Sequence, residues 1–101
     1  MKKIINGRLY DTETAEMLVD YSNHFSYRNF RYLEETLYQK STGEYFLHGF
    51  GGPMTVYAEK LENGAISGQA IIPMTEAEAR EWTETHASAD QYIAIFGEVE
   101  E

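Results

Sequence analysis

The sequence predicts an α+β fold: an antiparallel β-sheet from residues 1–72, with two short C-terminal α-helices packed on one face. Three observations predict it. Short runs rich in tyrosine, phenylalanine and isoleucine alternate with turn residues as far as Pro73. Two capping sequences, Thr75-Glu76-Ala77-Glu78 and Ser88-Ala89-Asp90-Gln91, then open helical patterns. A chain of 101 residues, 43% hydrophobic and 14% aromatic, can bury one core but not two. Residues 1–101 therefore read as a single domain.

The elements follow in order. Ile4-Ile5-Asn6-Gly7-Arg8-Leu9-Tyr10 reads as a strand interrupted by an Asn-Gly hairpin turn. Asp11 to Thr14 is turn or cap chemistry. In Ala15–Tyr21, Ala15, Met17, Val19 and Tyr21 alternate with Glu16 and Asp20, which favours a strand; Thr12 or Thr14 as an N-cap would favour a helix. Ser22 to Asn29 is polar and aromatic without a period, so it reads as a loop. The clearest hairpin follows, with Tyr32–Tyr38 and Tyr45–Phe50 flanking a connection that contains Gly43. If residue 39 pairs with 44, one face carries Leu33, Glu35, Leu37, Phe46, His48 and Phe50. Thr36, Tyr38, Tyr45 and Leu47 then share the other face. Thr55–Glu59 reads as a short strand, Glu62-Asn63-Gly64 as a turn, and Ala70–Pro73 as a short buried strand stopped by proline.

The C-terminal third predicts helices over about residues 76–86 and 89–96. Ala79, Trp82, Thr83 and His86 share one face of the first, while Glu78, Glu81 and Glu84 project from the opposite side. Tyr92, Ile95 and Phe96 make the apolar stripe of the second, and Gly97 suits its C-terminal end.

Net charge is −9, and it is uneven: −1 over residues 1–50 and −8 over residues 51–101. Such a field repels nucleic acid and anionic membrane, and it attracts a basic groove on another protein. The absence of cysteine removes disulfides, thiolate nucleophiles and cysteine-ligated metals. The apolar run at the N-terminus stops after Ile5, and no stretch approaches the roughly 20 apolar residues of a membrane span. The expectation is a cytoplasmic chain without cofactor or metal.

Catalytic signals are sparse. Gly49-Phe50-Gly51-Gly52-Pro53 has neither a Walker Lys-Ser/Thr nor the dinucleotide spacing, and reads as a tight bend. His24, His48 and His86 are too dispersed for a local metal motif. Glu34 and Glu35 point to opposite faces of a strand, so they cannot act together. A Glu35–His48 acid–base pair across the hairpin is the only arrangement that offers chemistry. The chain is expected not to be an enzyme.

The acidic helix face has mechanical content. Glutamates three or four apart place charges about 5–6 Å apart, and phosphates along a DNA strand lie roughly 6–7 Å apart. A fixed row of carboxylates can therefore compete for the Lys/Arg groups that hold phosphates. Glu76, Glu78, Glu81 and Glu84 are the candidate phosphate surrogates, with Tyr38 and Tyr45 as exposed anchors.

The stretches Leu9-Tyr10-Asp11-Thr12-Glu13-Thr14-Ala15, Glu34-Glu35-Thr36-Leu37-Tyr38, Gly43-Glu44-Tyr45-Phe46-Leu47 and Gly51-Gly52-Pro53-Met54-Thr55-Val56-Tyr57-Ala58 carry a resemblance, as does Ile72-Pro73-Met74-Thr75 before the helix. Together they resemble a family of small acidic proteins encoded on bacterial phages, plasmids and conjugative elements, whose relatives include inhibitors of type II CRISPR nucleases. None of these segments is a catalytic signature. What the resemblance implies is context: a mobile element benefits from small, acidic, non-enzymatic blockers of nucleases that would cut it. With the charge, this makes the leading expectation an anti-CRISPR-type protein in the host cytoplasm, binding a basic nucleic-acid groove of an effector nuclease. The alternative is a mobile-element adaptor or regulator that binds a protein through its aromatic sheet surface.

Overall fold

A computed structural model describes residues Met1–Glu101. Eight strands precede two helices: β1 (Lys2–Ile5), β2 (Arg8–Asp11), β3 (Glu16–Ser22), β4 (Leu33–Gln39), β5 (Tyr45–Gly51), β6 (Glu59–Leu61), β7 (Gly64–Ile66), β8 (Gly68–Met74), α1 (Glu76–His86) and α2 (Ala89–Phe96). The α+β class and the antiparallel pairing are as the sequence predicts. The strands, however, make three sheets instead of one: β3-β4-β5-β8, with β1–β2 and β6–β7 as separate hairpins. No helix is long and apolar enough to cross a membrane.

The β1–β2 turn has Asn6 at φ 52° and Gly7 at φ 77°, the paired positive angles of a two-residue hairpin. Its last residues do not extend the larger ladder. Tyr10 instead packs edge-on against Phe46 at 5.5 Å, so the hairpin lies across the sheet's face. Residues 16–22 are strand, and the alternation that favoured this reading is broken by a bulge between Met17 and Val19. Met17 opposes Tyr38 and Val19 opposes Leu37, which turns Met17 to the open face and buries Val19 under the helices.

The β4–β5 register differs by one residue from expectation. Gln39 pairs with Tyr45, Leu37 with Leu47 and Thr36 with His48. The Lys40 amide donates to the Glu44 carbonyl at 2.8 Å and the Gly43 amide to the Lys40 carbonyl at 2.9 Å. Gly43, at φ 96°, supplies the left-handed residue of this connection. Only Ser41, Thr42 and Gly43 lie between the bonded ends, one residue fewer than the four (40–43) that a pairing of 39 with 44 would leave. With a side-chain period of two, that slip exchanges every cross-strand partner set. Leu37, Tyr45 and Leu47 consequently share the helix-facing side, and Tyr38, Phe46 and His48 the other.

Two further segments depart from expectation. Residues 55–58 form a turn: the Ala58 amide donates to the Thr55 carbonyl, and the Thr55 hydroxyl to the Gly52 carbonyl at 2.8 Å. The strand starts at Glu59 instead. β8 runs through Pro73 to Met74, because an edge strand has no ladder partner on one side and tolerates the missing amide. Its Ile71 is buried, but Ile72 is exposed.

Both helices start as the capping sequences predict. The Thr75 hydroxyl accepts from the Glu78 amide at 3.1 Å, and the Glu78 carboxylate accepts from the Thr75 amide at 2.9 Å. Ser88 and Gln91 repeat the arrangement at 3.1 and 3.0 Å. Gly97 closes α2 at φ 93°. Ala79 and Trp82 join Val19, Leu37, Tyr45 and Leu47 in the main core, with Ile95 and Phe96 packed against it. Each large side chain so buried contributes roughly 1.5–3 kcal/mol. Tyr92 is carried on Phe96 at 5.0 Å, and the Arg80 guanidinium donates to its hydroxyl at 3.3 Å.

The tight bend expected over Gly49–Pro53 is confined to its end, because Gly49, Phe50 and Gly51 are part of β5 and the chain turns only from Gly52-Pro53 on. A Cβ on Gly49 would stand 1.9 Å from the Tyr57 ring, so this ring lies flat on bare backbone. Gly49→Ala is expected to expel the ring and lower unfolding free energy by about 1–3 kcal/mol, measured by urea denaturation. An unchanged urea midpoint would show that the ring is not held there.

Candidate protein-interaction surface

The helix α1 is clamped to the sheet by one carboxylate. Glu35 rises from β4 on the helix-facing side, opposite Gly49. Its Oε1 accepts from the Trp82 indole at 2.9 Å and its Oε2 from the Tyr57 hydroxyl at 2.5 Å. The space over Gly49 admits the Tyr57 ring, so a strand, a loop and a helix meet at this group. Glu34 points to the opposite face, as expected, and accepts from the Tyr32 hydroxyl at 2.8 Å.

This placement removes the Glu35–His48 pair. His48 lies on the open face opposite Thr36, with Nε2 2.8 Å from Oε1 of Gln69, while Glu35 is on the far side of the sheet. The register slip is the physical cause. His86 ends α1, stacked on Trp82 at 4.7 Å and edge-on to Tyr21 at 4.5 Å. The His24 ring lies tilted against Phe25 at 4.1 Å.

The four acidic candidates on α1 are all exposed but do not form one row. At about 100° per residue, Glu81 and Glu84 straddle the direction away from the sheet, while Glu76 and Glu78 lie on opposite flanks. The flanking pair is also engaged: Glu76 is 3.0 Å from the Arg80 guanidinium and Glu78 completes the capping box. Glu81 and Glu84 have no partner. Asp90 and the tail residues Glu98, Glu100 and Glu101 add further exposed carboxylates near the same helices.

The two tyrosine anchors separate. Tyr45 is buried at 8% exposure beneath α2, its ring 5.7 Å from Phe96. It is part of the core and is not a surface anchor. Tyr38 is half-buried on the opposite face, stacked on Phe46 at 5.1 Å. Shifting the register by one residue sends these neighbours of the turn to opposite sides.

Surface residues that the periodicity of the sequence does not mark lie in two loops, 23–32 and 52–58. Tyr27, Phe30, Met54 and Val56 are 72%, 63%, 56% and 83% exposed. Residues 22–29 have no period, so pattern reading passes over them. The usable signal is composition: Tyr27-Arg28-Asn29-Phe30-Arg31 holds the aromatic and arginine types that dominate binding hot spots.

Several phenols titrate unusually high. Burial, then the bond to Glu35, pushes Tyr57 above the usual range. The bond to Glu34 and then burial raise Tyr32 to about 12. Burial is the main cause for Tyr38 and Tyr45 as well. Phenols released on unfolding ionise near pH 10, so the unfolded chain loses protons first. Stability should be constant towards neutral pH and fall as pH rises above about 10. Tyr57→Phe should lower stability at neutral pH by about 1–3 kcal/mol and make the alkaline fall shallower. Urea titrations followed by Trp82 fluorescence would reveal both; an equally steep alkaline limb would deny Tyr57 its share.

Comparison with known proteins supplies no relative: no family model, no curated protein and no solved structure matches the chain.

Proposed function

We propose that the chain is a non-enzymatic protein-binding inhibitor, of the anti-CRISPR kind, whose acidic helix face competes with nucleic acid for a basic groove of a defence nuclease. The observation that carries this reading is the pair Glu81 and Glu84, outward-facing and unpartnered on a rigid, doubly tied helix. The capping box fixes the start of α1, and the Trp82–Glu35 bond fixes its middle. The fixed helix backbone adds no ordering cost of its own when these carboxylates meet an arginine, and only their side-chain rotamers are restricted. The charge of −8 over residues 51–101 adds an attractive field for a basic groove. The resemblance to small acidic proteins of mobile elements supports the same reading.

On this reading two of the four carboxylates also serve the helix itself. Glu78 holds the helix end and Glu76 is paired with Arg80, so their removal would mix a structural effect with any loss of binding. Glu81 and Glu84 are the clean positions. Tyr38 is the remaining tyrosine candidate, and Tyr45 has no access to a partner.

The test uses a guide-loaded type II CRISPR nuclease and fluorescent target DNA. The intact chain should displace the DNA, and Glu81→Gln/Glu84→Gln should compete about tenfold less well with an unchanged melting temperature. Displacement should weaken as salt rises, because exposed charges are screened beyond about 8 Å at physiological ionic strength. Undiminished competition by the double variant would discard the mimicry, and the absence of any displacement would discard this nuclease class.

A further inference from the structure

Loops 23–32 and 52–58 leave the four-stranded sheet at the same end and are bonded into one unit. The Met54 amide donates to the Phe30 carbonyl and the Gly52 amide to the Tyr32 carbonyl, both at 2.9 Å. Asn23 donates from Nδ2 to the Arg31 carbonyl at 2.8 Å and accepts at Oδ1 from the Leu33 amide at 3.2 Å. Asn29 Oδ1 accepts from the Arg31 amide at 2.8 Å. Gly52 permits the approach, since a Cβ there would stand 2.5 Å from the Phe30 carbonyl oxygen.

This rigid frame holds large apolar side chains in water. Tyr27, Phe30, Met54 and Val56 are each more than half exposed. Single exposed apolar residues are ordinary, but these four stand on two loops that are bonded together at one end of the sheet. Beside them is a cavity of about 270 Å³, lined by Tyr27, Phe30, Phe50 and Pro53 together with the polar Arg28, Asn29 and Ser67. The Tyr27 ring lies parallel to Phe50 at 6.0 Å and fixes one wall.

Charge indicates the occupant. Arg28 and Arg31 are exposed on the same loop and neither enters an ion pair. The cavity is smaller than the roughly 300–1,000 Å³ of a small-molecule site, so it suits one large side chain. A nucleic acid would run as a polyanion past the tip and along a body of charge −9. A short acidic segment meets only the local arginines, because charges further away than about 8 Å are screened.

We propose that this tip docks an acidic peptide segment of a partner protein, one apolar side chain entering the cavity while flanking carboxylates pair with Arg28 and Arg31. The site is independent of the α1 carboxylates and uses the opposite charge. The preformed loops keep the entropic cost of docking low.

The test uses short fluorescein-labelled synthetic peptides with a central phenylalanine or leucine flanked by aspartate and glutamate. Controls replace the central residue with serine or the flanking acids with lysine. The acidic, apolar-centred peptides should bind saturably and shift the backbone amide resonances of residues 27–31 and 52–56. Removing the central residue, or introducing Arg28→Glu/Arg31→Glu, should weaken binding at least about tenfold. Phe30→Ser should do the same with a dispersed, folded amide spectrum, and Glu81→Gln/Glu84→Gln should have no effect. The proposal is overturned by failure of every acidic peptide to bind, by binding that survives the arginine reversal, or by stronger binding of the lysine controls or of oligodeoxythymidylate.

Discussion

The register of the β4–β5 hairpin is the constraint on which the other parts of the molecule depend. Ser41, Thr42 and Gly43 close the connection, and Gly43 takes the positive φ that a side chain would resist. That register puts Leu37 beside Leu47 and Glu35 beside Gly49 on one side of the sheet. The first pair forms the floor on which Ala79 and Trp82 pack. The second leaves a bare patch of backbone where the Tyr57 ring lies, with its hydroxyl against Glu35. Glu35 then captures the Trp82 indole. Helix position, loop position and sheet register are thus one coupled arrangement.

The same arrangement divides the surface by charge. The helices present carboxylates outward, with Glu81 and Glu84 unpartnered, while the loops at one end of the sheet present Arg28 and Arg31 among exposed aromatic and aliphatic side chains. Between them the open sheet face is largely occupied by the chain's own aromatics. Tyr10 covers Phe46, Tyr38 stacks on Phe46, and Tyr27 and Tyr32 lie against Phe50. An adaptor reading based on that face therefore has less free surface than an aromatic composition implies. Two candidate surfaces of opposite sign remain, held by rigid local structure and not by disordered segments.

The elements legible from sequence are those whose information is local. The two capping boxes, the Asn6-Gly7 turn and the helix face of Ala79, Trp82 and Thr83 all follow from residues a few positions apart. The strand at Glu16–Ser22 was legible from its alternation, although the bulge at Leu18 that redirects Met17 was not. Residues 55–58 are a turn although their β-branched and aromatic content favours extension. The turn hydrogen bonds at Thr55 and the capture of Tyr57 by Glu35 override that propensity.

For the candidate sites the division is sharper. The sequence by itself determined the α+β class, the acidic half of the chain and the exposed position of Glu76, Glu78, Glu81 and Glu84, because helical periodicity and capping fix which way a short helix faces. Tertiary structure alone decided that Tyr45 is buried and Tyr38 is not, that Glu35 and His48 lie on opposite faces, and that residues 27–31 and 52–56 meet at one tip. The physical reason is the period of two in a strand: a single residue in a turn sends each side chain to one face or the other, and only the packed pairs reveal which.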